Sequence, residues 1–342
     1  MSLTPAYKLT LGKKVIDTTD KPQASTVVNL TVRLDLAAPA DSTVLILGNV
    51  GSFKPAEGDD ATVELGYADD GGLTQVMKGS VVSVEPSLPT TRVVIYSGVS
   101  SLLRASLEQT YESKTAGAMV SDLAGAAGVD VATAEDGITF PAYVVDGRRN
   151  LYQHMHDLAE LCGFDLYLNP DGAIVFKRFA GGETVHVLEY AKQILHLDIV
   201  RAPSLAASVE VWGESPTGKE GDDAWAWLTS DFSGSKGTAG SGTPLFLLER
   251  PALRTKDAAQ SAATAAFTAI GSRAVRGRLE TTGLPAVLLG DAVRLSGLPD
   301  SSLNTSFQVR DITHHISKAR GFTSTIGFNT IASGSPPGGS QT

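Results

Sequence analysis

Side chains with chemistry of their own are scarce in this sequence: one cysteine and six histidines among 342 residues. His154 and His156 stand two apart in a stretch of helical period, which sends their rings to different faces and denies them a shared ion. His314 and His315 are adjacent in a stretch of strand period, so their rings leave on opposite faces of a sheet. A zinc site needs converging ligands, and donors scattered in this way do not form one. Cys162 falls on the apolar side of its helix with no His/Asn partner motif, and reads as a packing residue. The run from Gly234 to Thr243 (GSKGTAGSGT) lacks the order of a phosphate loop and reads as a flexible surface loop. Asp69-Asp70 and Asp222-Asp223 lie in turn-like stretches without a calcium-loop pattern. No serine occupies a G-x-S-x-G elbow. The sequence therefore predicts no catalytic, cofactor or metal residues and a protein that is not an enzyme. One pair of side chains stands out instead: Trp225 and Trp227 lie in a polar, Gly-rich excursion, where indoles either anchor a partner or pack back on their own domain.

The elements that would carry these residues follow from periodicity. The first 20 residues are polar and mixed and read as an arm or an edge strand. Val28, Leu30, Val32, Leu34 and Leu36 then alternate with polar residues, the period of a strand with one buried face. Val44–Leu47, Val63–Leu65, Val76–Val84 and Arg92–Tyr96 continue the pattern, with Asp69-Asp70-Gly71-Gly72 as a turn. The period then changes. Met119, Val120, Leu123, Ala124 and Ala127 predict a helix with Thr115 as N-cap and Gly128 as its stop. Leu151, Met155, Leu158, Ala159 and Cys162 predict a second, ending at Gly163. Phe164, Leu166 and Leu168, the turn Asn169-Pro170-Asp171-Gly172, and Ile174 and Phe176 predict a hairpin. Ser208–Gly213 reads as a strand, Glu214–Thr243 as an excursion longer than most connections, and 255–271 as an Ala-rich helix. Strand period resumes from Val275 to Phe328.

Composition narrows the classes. With 42% hydrophobic and 19% charged residues the chain can bury a core. A formal charge of −9 argues against nucleic acid as a partner. No apolar run approaches the roughly 20 residues that span a bilayer, and no signal segment is visible at the start. A lone cysteine fits folding in a reducing cytosol. An ungapped shift of 230 positions aligns Val63 with Val293, Leu65 with Leu295, Leu73 with Leu303, Met77 with Phe307 and Val82 with Ile312. That alignment predicts two related β domains with a helical insert between them.

Three segments carry a family resemblance. They are Leu65-Gly66-Tyr67 through Val76-Met77-Lys78-Gly79-Ser80-Val81-Val82; Thr110–Thr115 with the Ala-rich helix, Gly128 and Asn150–Gly163; and Lys256 through Gly283-Leu284-Pro285, Leu289-Gly290-Asp291 and Val309–His314. Together they resemble the phage late control gene D family, which includes baseplate hubs of contractile tails and injection systems and the hub part of type VI secretion spike proteins. The resemblance implies an α+β, predominantly β fold with two related antiparallel β-barrel tube domains and an α/β insert. The expected division is an arm at 1–20, a first barrel at 21–97, an insert at 98–200, a second barrel at 201–332 bearing the 214–243 loop and the 255–271 helix, and a disordered tail at 333–342. It further implies a homotrimeric hub joining inner tube proteins to a spike protein and other baseplate components, without nucleic-acid binding or membrane insertion, made in the cytoplasm and assembled into the particle. After Phe328 the sequence shows no OB-like or β-helical pattern, so the spike is expected from another polypeptide. The alternatives are a tail-associated cell-wall hydrolase, which needs paired carboxylates or a metal in a cleft, and a receptor- or carbohydrate-binding tail module, which the tryptophan loop could serve.

Overall fold

A computed structural model describes residues 3–21, 25–48, 54–214 and 233–331, together with the backbone of 340–341. Seven strands come first: β1 (Pro5–Leu11), β2 (Lys14–Asp17), β3 (Val27–Asp35), β4 (Ser42–Gly48), β5 (Asp60–Tyr67), β6 (Gly72–Pro86) and β7 (Thr90–Ser97). An α/β stretch follows, with α1 (Val99–Arg104), β8 (Gln109–Thr115), α2 (Ala116–Ala126), β9 (Val131–Ala134), β10 (Thr139–Val145), α3 (Leu151–Cys162), β11 (Asp165–Leu168) and β12 (Ile174–Lys177). Then come β13 (Thr184–Glu189), β14 (Ile194–Arg201), β15 (Ser208–Trp212), β16 (Lys236–Gly240), β17 (Leu245–Glu249) and α4 (Lys256–Ser272). The chain closes with β18 (Val275–Thr282), β19 (Ala292–Ser296), β20 (Ser306–Ser317), β21 (Gly321–Thr330) and β22 (Ser340–Gln341). The fold is α+β and predominantly β.

Local chemistry explains the helices. Thr115 Oγ1 accepts the Ala118 N–H at the start of α2, and Gly128 turns the chain away at φ 68°. Asn150 and Gln153 form a reciprocal capping box on α3, which stops at Gly163 in the left-handed region.

The strands form a duplicated arrangement. In space the first unit runs β3-β4-β7-β6-β5-β1 and the second β14-β18-β21-β20-β19-β13. Matching the two strand by strand preserves both the chain order and the spatial order. The 230-position shift has a structural counterpart, because Val63 pairs with Met77 and Val293 with Phe307. One difference remains: β1 lies antiparallel to β5, whereas β13 lies parallel to β19.

Separate closed barrels do not form among the described residues; the strand order is an open path. The units are instead fused through β20. Its start, Ser306–Gln308, bonds to β19, and its remainder, Asp311–Ser317, bonds to β3, with a bulge between Val309 and Asp311. A 14-stranded sheet results, with one core that takes side chains from both units. The arm expected at 1–20 contributes to it: β1 is bonded between β5 and β2, and Leu9 and Leu11 are fully buried.

The division expected at 200/201 is corrected by the packing. β13 and β14, expected in the insert, belong to the second β unit. β15 and α4, expected in the second barrel, share the insert's core, with Val209, Val211 and Ala259 packed among the same cluster as Met155 and Leu158. The insert layer is thus built from two chain segments that pack on each other. The β11–β12 hairpin joins layer to sheet by strand alternation: Leu166, Leu168, Ile174 and Phe176 face the insert core, while Tyr167 and Val175 face the sheet core.

Candidate functional site

The sheet has two chemically opposite faces. On the core side Leu197, Leu279, Ile326, Ile312 and Leu34 lie opposite one another across five strands, and the last four are 5% exposed or less. On the other side one cross-strand row runs His196, Glu280, Thr325, Thr313, Arg33, Ser42, Tyr96, Ser80 and Asp60, from β14 to β5. Every member is polar or carries a hydroxyl, and each is exposed or half-buried. The insert covers part of the apolar face through Tyr167 and Val175. The opposite face is a broad, wetted surface of small hydroxylic and mixed-charge groups, shared by both units. At the two ends of the sheet path β14 and β2 have no outer neighbour among the described strands, and such edges are templates for further strand pairing.

A half-buried polar joint holds the insert at the point where the two units fuse. Asp165, at the start of β11, accepts from Gln308 Nε2 at 2.6 Å and from Arg310 Nη1 at 3.2 Å. Arg310 is the residue bulged out of the β20–β21 ladder. Burial raises the Asp165 carboxyl from its ordinary range, opposed by the Arg310 charge. Beside this joint, burial and the nearby Asp35 charge push Asp41 up to about 7, although Asp41 accepts the Asp35 backbone N–H. The Asp165 joint carried no sequence signal, because Asp165 and its partners Gln308 and Arg310 lie far apart in the chain.

A cleft of about 310 Å³ opens between the β11–β12 hairpin and the sheet, with Leu34, Val76, Val175 and Leu289 in its walls. Its rim groups are bound to one another. Lys177 pairs with Glu183. Asp291 accepts from Thr184 N (3.1 Å) and Leu288 N (2.9 Å) and lies 3.0 Å from His186 Nε2. This His186–Asp291 pair ties β13 to the turn before β19 and was not visible in the sequence.

The structure separates the residues singled out for chemistry. His154 is buried, and its Nε2 lies 3.1 Å from the Asp146 carbonyl oxygen. His156 is half-buried against Tyr152. It comes within 4.8 Å of Asp157 and Glu160, but Asp157 is engaged by Arg149 at 2.6 Å. His314 is buried with Nδ1 2.8 Å from Ser324 Oγ, and burial lowers it to about 4. His315 turns to the other face, 3.2 Å from Thr31 Oγ1. The Cys162 thiol is raised to about 11 by burial, far from a reactive thiolate. Residues 236–240, read as part of a surface loop, are β16, paired with β15. Trp225, Trp227, Asp222 and Asp223 lie outside the described residues, as does the tail expected at 333–342 apart from the backbone of 340–341.

No protein-family model matches the sequence, and no curated protein matches it. Solved structures do match the fold. The 43 kDa tail protein of prophage MuSo2 from Shewanella oneidensis superposes with a TM-score of 0.71 at 13% identity, over 95% of this chain and 98% of that one. A tail protein from Neisseria meningitidis MC58 gives 0.70 at 14% identity, over 96% and 98%. The E. coli c3393 protein, a component of the type VI secretion system with structural similarity to the T4 tail proteins gp27 and gp5, gives 0.57 at 11% identity, over 98% and 79%. The chain has the fold of these tail proteins.

Proposed function

We propose that this chain is a structural baseplate hub of a contractile phage tail or related injection system. In this reading three copies form a ring that joins the hexameric inner tube to a trimeric spike. The observation that carries it is the single sheet with one wetted face shared by two like units. A wall of that kind suits a tube: apolar face outward under the insert layer, polar face toward a passage. Three copies would set six like units about an axis, which can meet six-fold tube subunits on one side and a three-fold spike on the other. The near-complete overlap with phage tail proteins supports a place in a tail, and the resemblance to the late control gene D family supports the hub within it. Burial holds the Cys162 thiol away from its thiolate form and His314 away from solvent, and Lys177–Glu183 and His186–Asp291 pair at the rim of the cleft, all of which supports a scaffolding role. The reading assigns Trp225 and Trp227 to contact with a neighbouring component. Native mass spectrometry of the purified chain and cryo-electron microscopy of the particle test it. A trimer encircling the axis between tube and spike is expected, and a monomeric chain at the particle periphery would refute it.

A further inference from the structure

The joint inside the chain describes a joint that the chain leaves unused. Within the chain, β3 lies on the outer half of β20, with Thr31, Val32 and Arg33 opposite His315, His314 and Thr313. The duplicated topology gives both partners a counterpart. β14 holds the place of β3, first in its unit and paired, among the described strands, on one side only. β6 holds the place of β20, and it too is longer than the strand beside it. β5 pairs with β6 only as far as Asp60 opposite Ser80, and Gly58 and Asp59 then take the Val81 backbone groups. Beyond Val81, no described strand lies on that side of β6.

The registers allow the counterparts to be matched residue by residue. Ile312 faces Ile326 as Val81 faces Ile95, and Thr313, His314 and His315 face Thr325, Ser324 and Thr323 as Ser83, Val84 and Glu85 face Val94, Val93 and Arg92. On the other partner, Leu197 faces Leu279, which faces Ile326, just as Val32 faces Thr43, which faces Ile95. Leu197 thus answers to Val32, and its neighbours His196 and Asp198 answer to Thr31 and Arg33.

We infer that copies of this chain join head to tail by laying β14 of one copy on the outer half of β6 of the next, in the register of the internal β3–β20 joint. The inference rests on the proposed trimer and names the strands that make it. Transfer of the register sets Leu197 opposite Val84, His196 opposite Glu85 and Asp198 opposite Ser83. Parity is satisfied: Leu197 and Val84 both lean on the apolar core, and the other four belong to the wetted face. Burial points the same way. Val32 and His314, at the internal joint, are fully buried, while Leu197 and Val84 are only half-buried and are left for a neighbour to cover. Across the joint two pairs made within each copy, His196–Asp198 at 3.0 Å and Arg92–Glu85 at 2.7 Å, come side by side, so that charges of both signs meet there. Because each copy offers one β14 and one β6, the contact is heterologous, and a rotation of one third of a turn per copy closes it into the proposed trimer.

Site-directed crosslinking of the full chain tests the register. In a Cys162→Ala background, Asp198→Cys and Ser83→Cys together should yield, on mild oxidation, covalent dimers and a discrete trimer as the major species. Val200→Cys with Ser83→Cys, two residues out of register, should yield at least tenfold less. Native mass spectrometry is run on the same samples. A trimer that crosslinks no better in register than out of it overturns the joint and leaves the proposed trimer standing. A chain that is monomeric at every concentration, and remains so within particles, overturns both.

Discussion

Asp41 is a carboxyl held in a place that disfavours its charge. Burial and the Asp35 charge raise it from 3.8 to about 7, so the folded chain holds a proton that the unfolded chain has released between those values. Stability therefore falls as pH rises from about 4 to 7 and is flat above, by roughly 1.4 kcal/mol per pKa unit at most. Asp41→Asn keeps the oxygen that accepts the Asp35 N–H and removes the charge. Urea midpoints should show the variant ahead of wild type by about 1–3 kcal/mol at pH 8 and nearly level at pH 4.5; an equal gain at both would point to packing and not charge. Glycines of the family-like segments are also explained at this scale. A Cβ on Gly79 would stand 2.0 Å from the Tyr96 carbonyl oxygen, so β6 and β7 can approach only where no side chain intervenes. Gly79→Ala should lose at least about 2 kcal/mol, and thermal melting within 2 °C of wild type would contradict that close approach. The alternation of His314 and His315 and the inward place of Cys162 were legible in the sequence, since each follows from local period. The burial of Asp41 and His154 was not, nor the contacts of Asp165, because the surfaces that cover them come from distant segments.

Elements were legible in type and less so in partnership. The caps of α2 and α3 lie within a few residues of the helices they end, so Thr115, Gly128 and Gly163 could be read directly. β13 and β14 were expected in the insert, because their pairing with β19 and β18 bridges roughly a hundred residues of chain in the first case and eighty in the second. For the same reason α4 was expected beside the barrel that follows it, whereas its alanine face packs on α3. The Asp165–Arg310 contact is where this non-local organisation is fastened, through a bulge that aims one side chain out of the ladder. Arg310→Met should leave Asp165 half-buried without its countercharge and cost about 2–4 kcal/mol, with Arg310 partly exposed and so below the cost of a fully buried pair. Asp165→Leu combined with Arg310→Met should recover much of that loss. Hydrogen exchange adds the location: the single variant should loosen β11 and β12 before β20. Uniform loosening of the whole chain would mean that the pair does not fasten the insert.

For the whole molecule the consequential feature is the asymmetry of the sheet, apolar and covered on one face, hydroxylic and bare on the other. Thr313 and Thr325 face each other at its centre, one strand from the seam between the two units. Neither is buried, and replacing surface residues of this kind usually changes stability by less than about 0.5 kcal/mol. Ile312 and Ile326, one residue away on the apolar side, are fully buried, and truncating either to Ala should cost roughly 2–5 kcal/mol. Thr313→Arg with Thr325→Arg therefore separates folding from use. In the proposed ring the double variant places six added cations from three copies around one passage, and the single Glu280 opposite Thr325 in each copy offsets at most half of them. The chain should fold, trimerise and enter particles at wild-type levels, while delivery through the tail falls by at least tenfold. Thr313→Ser with Thr325→Ser, which keeps hydroxyls on the same face, should deliver normally. Loss of folding in the arginine variant would show that the face is packed and not bare, and normal delivery by well-assembled arginine particles would show that it does not line the path.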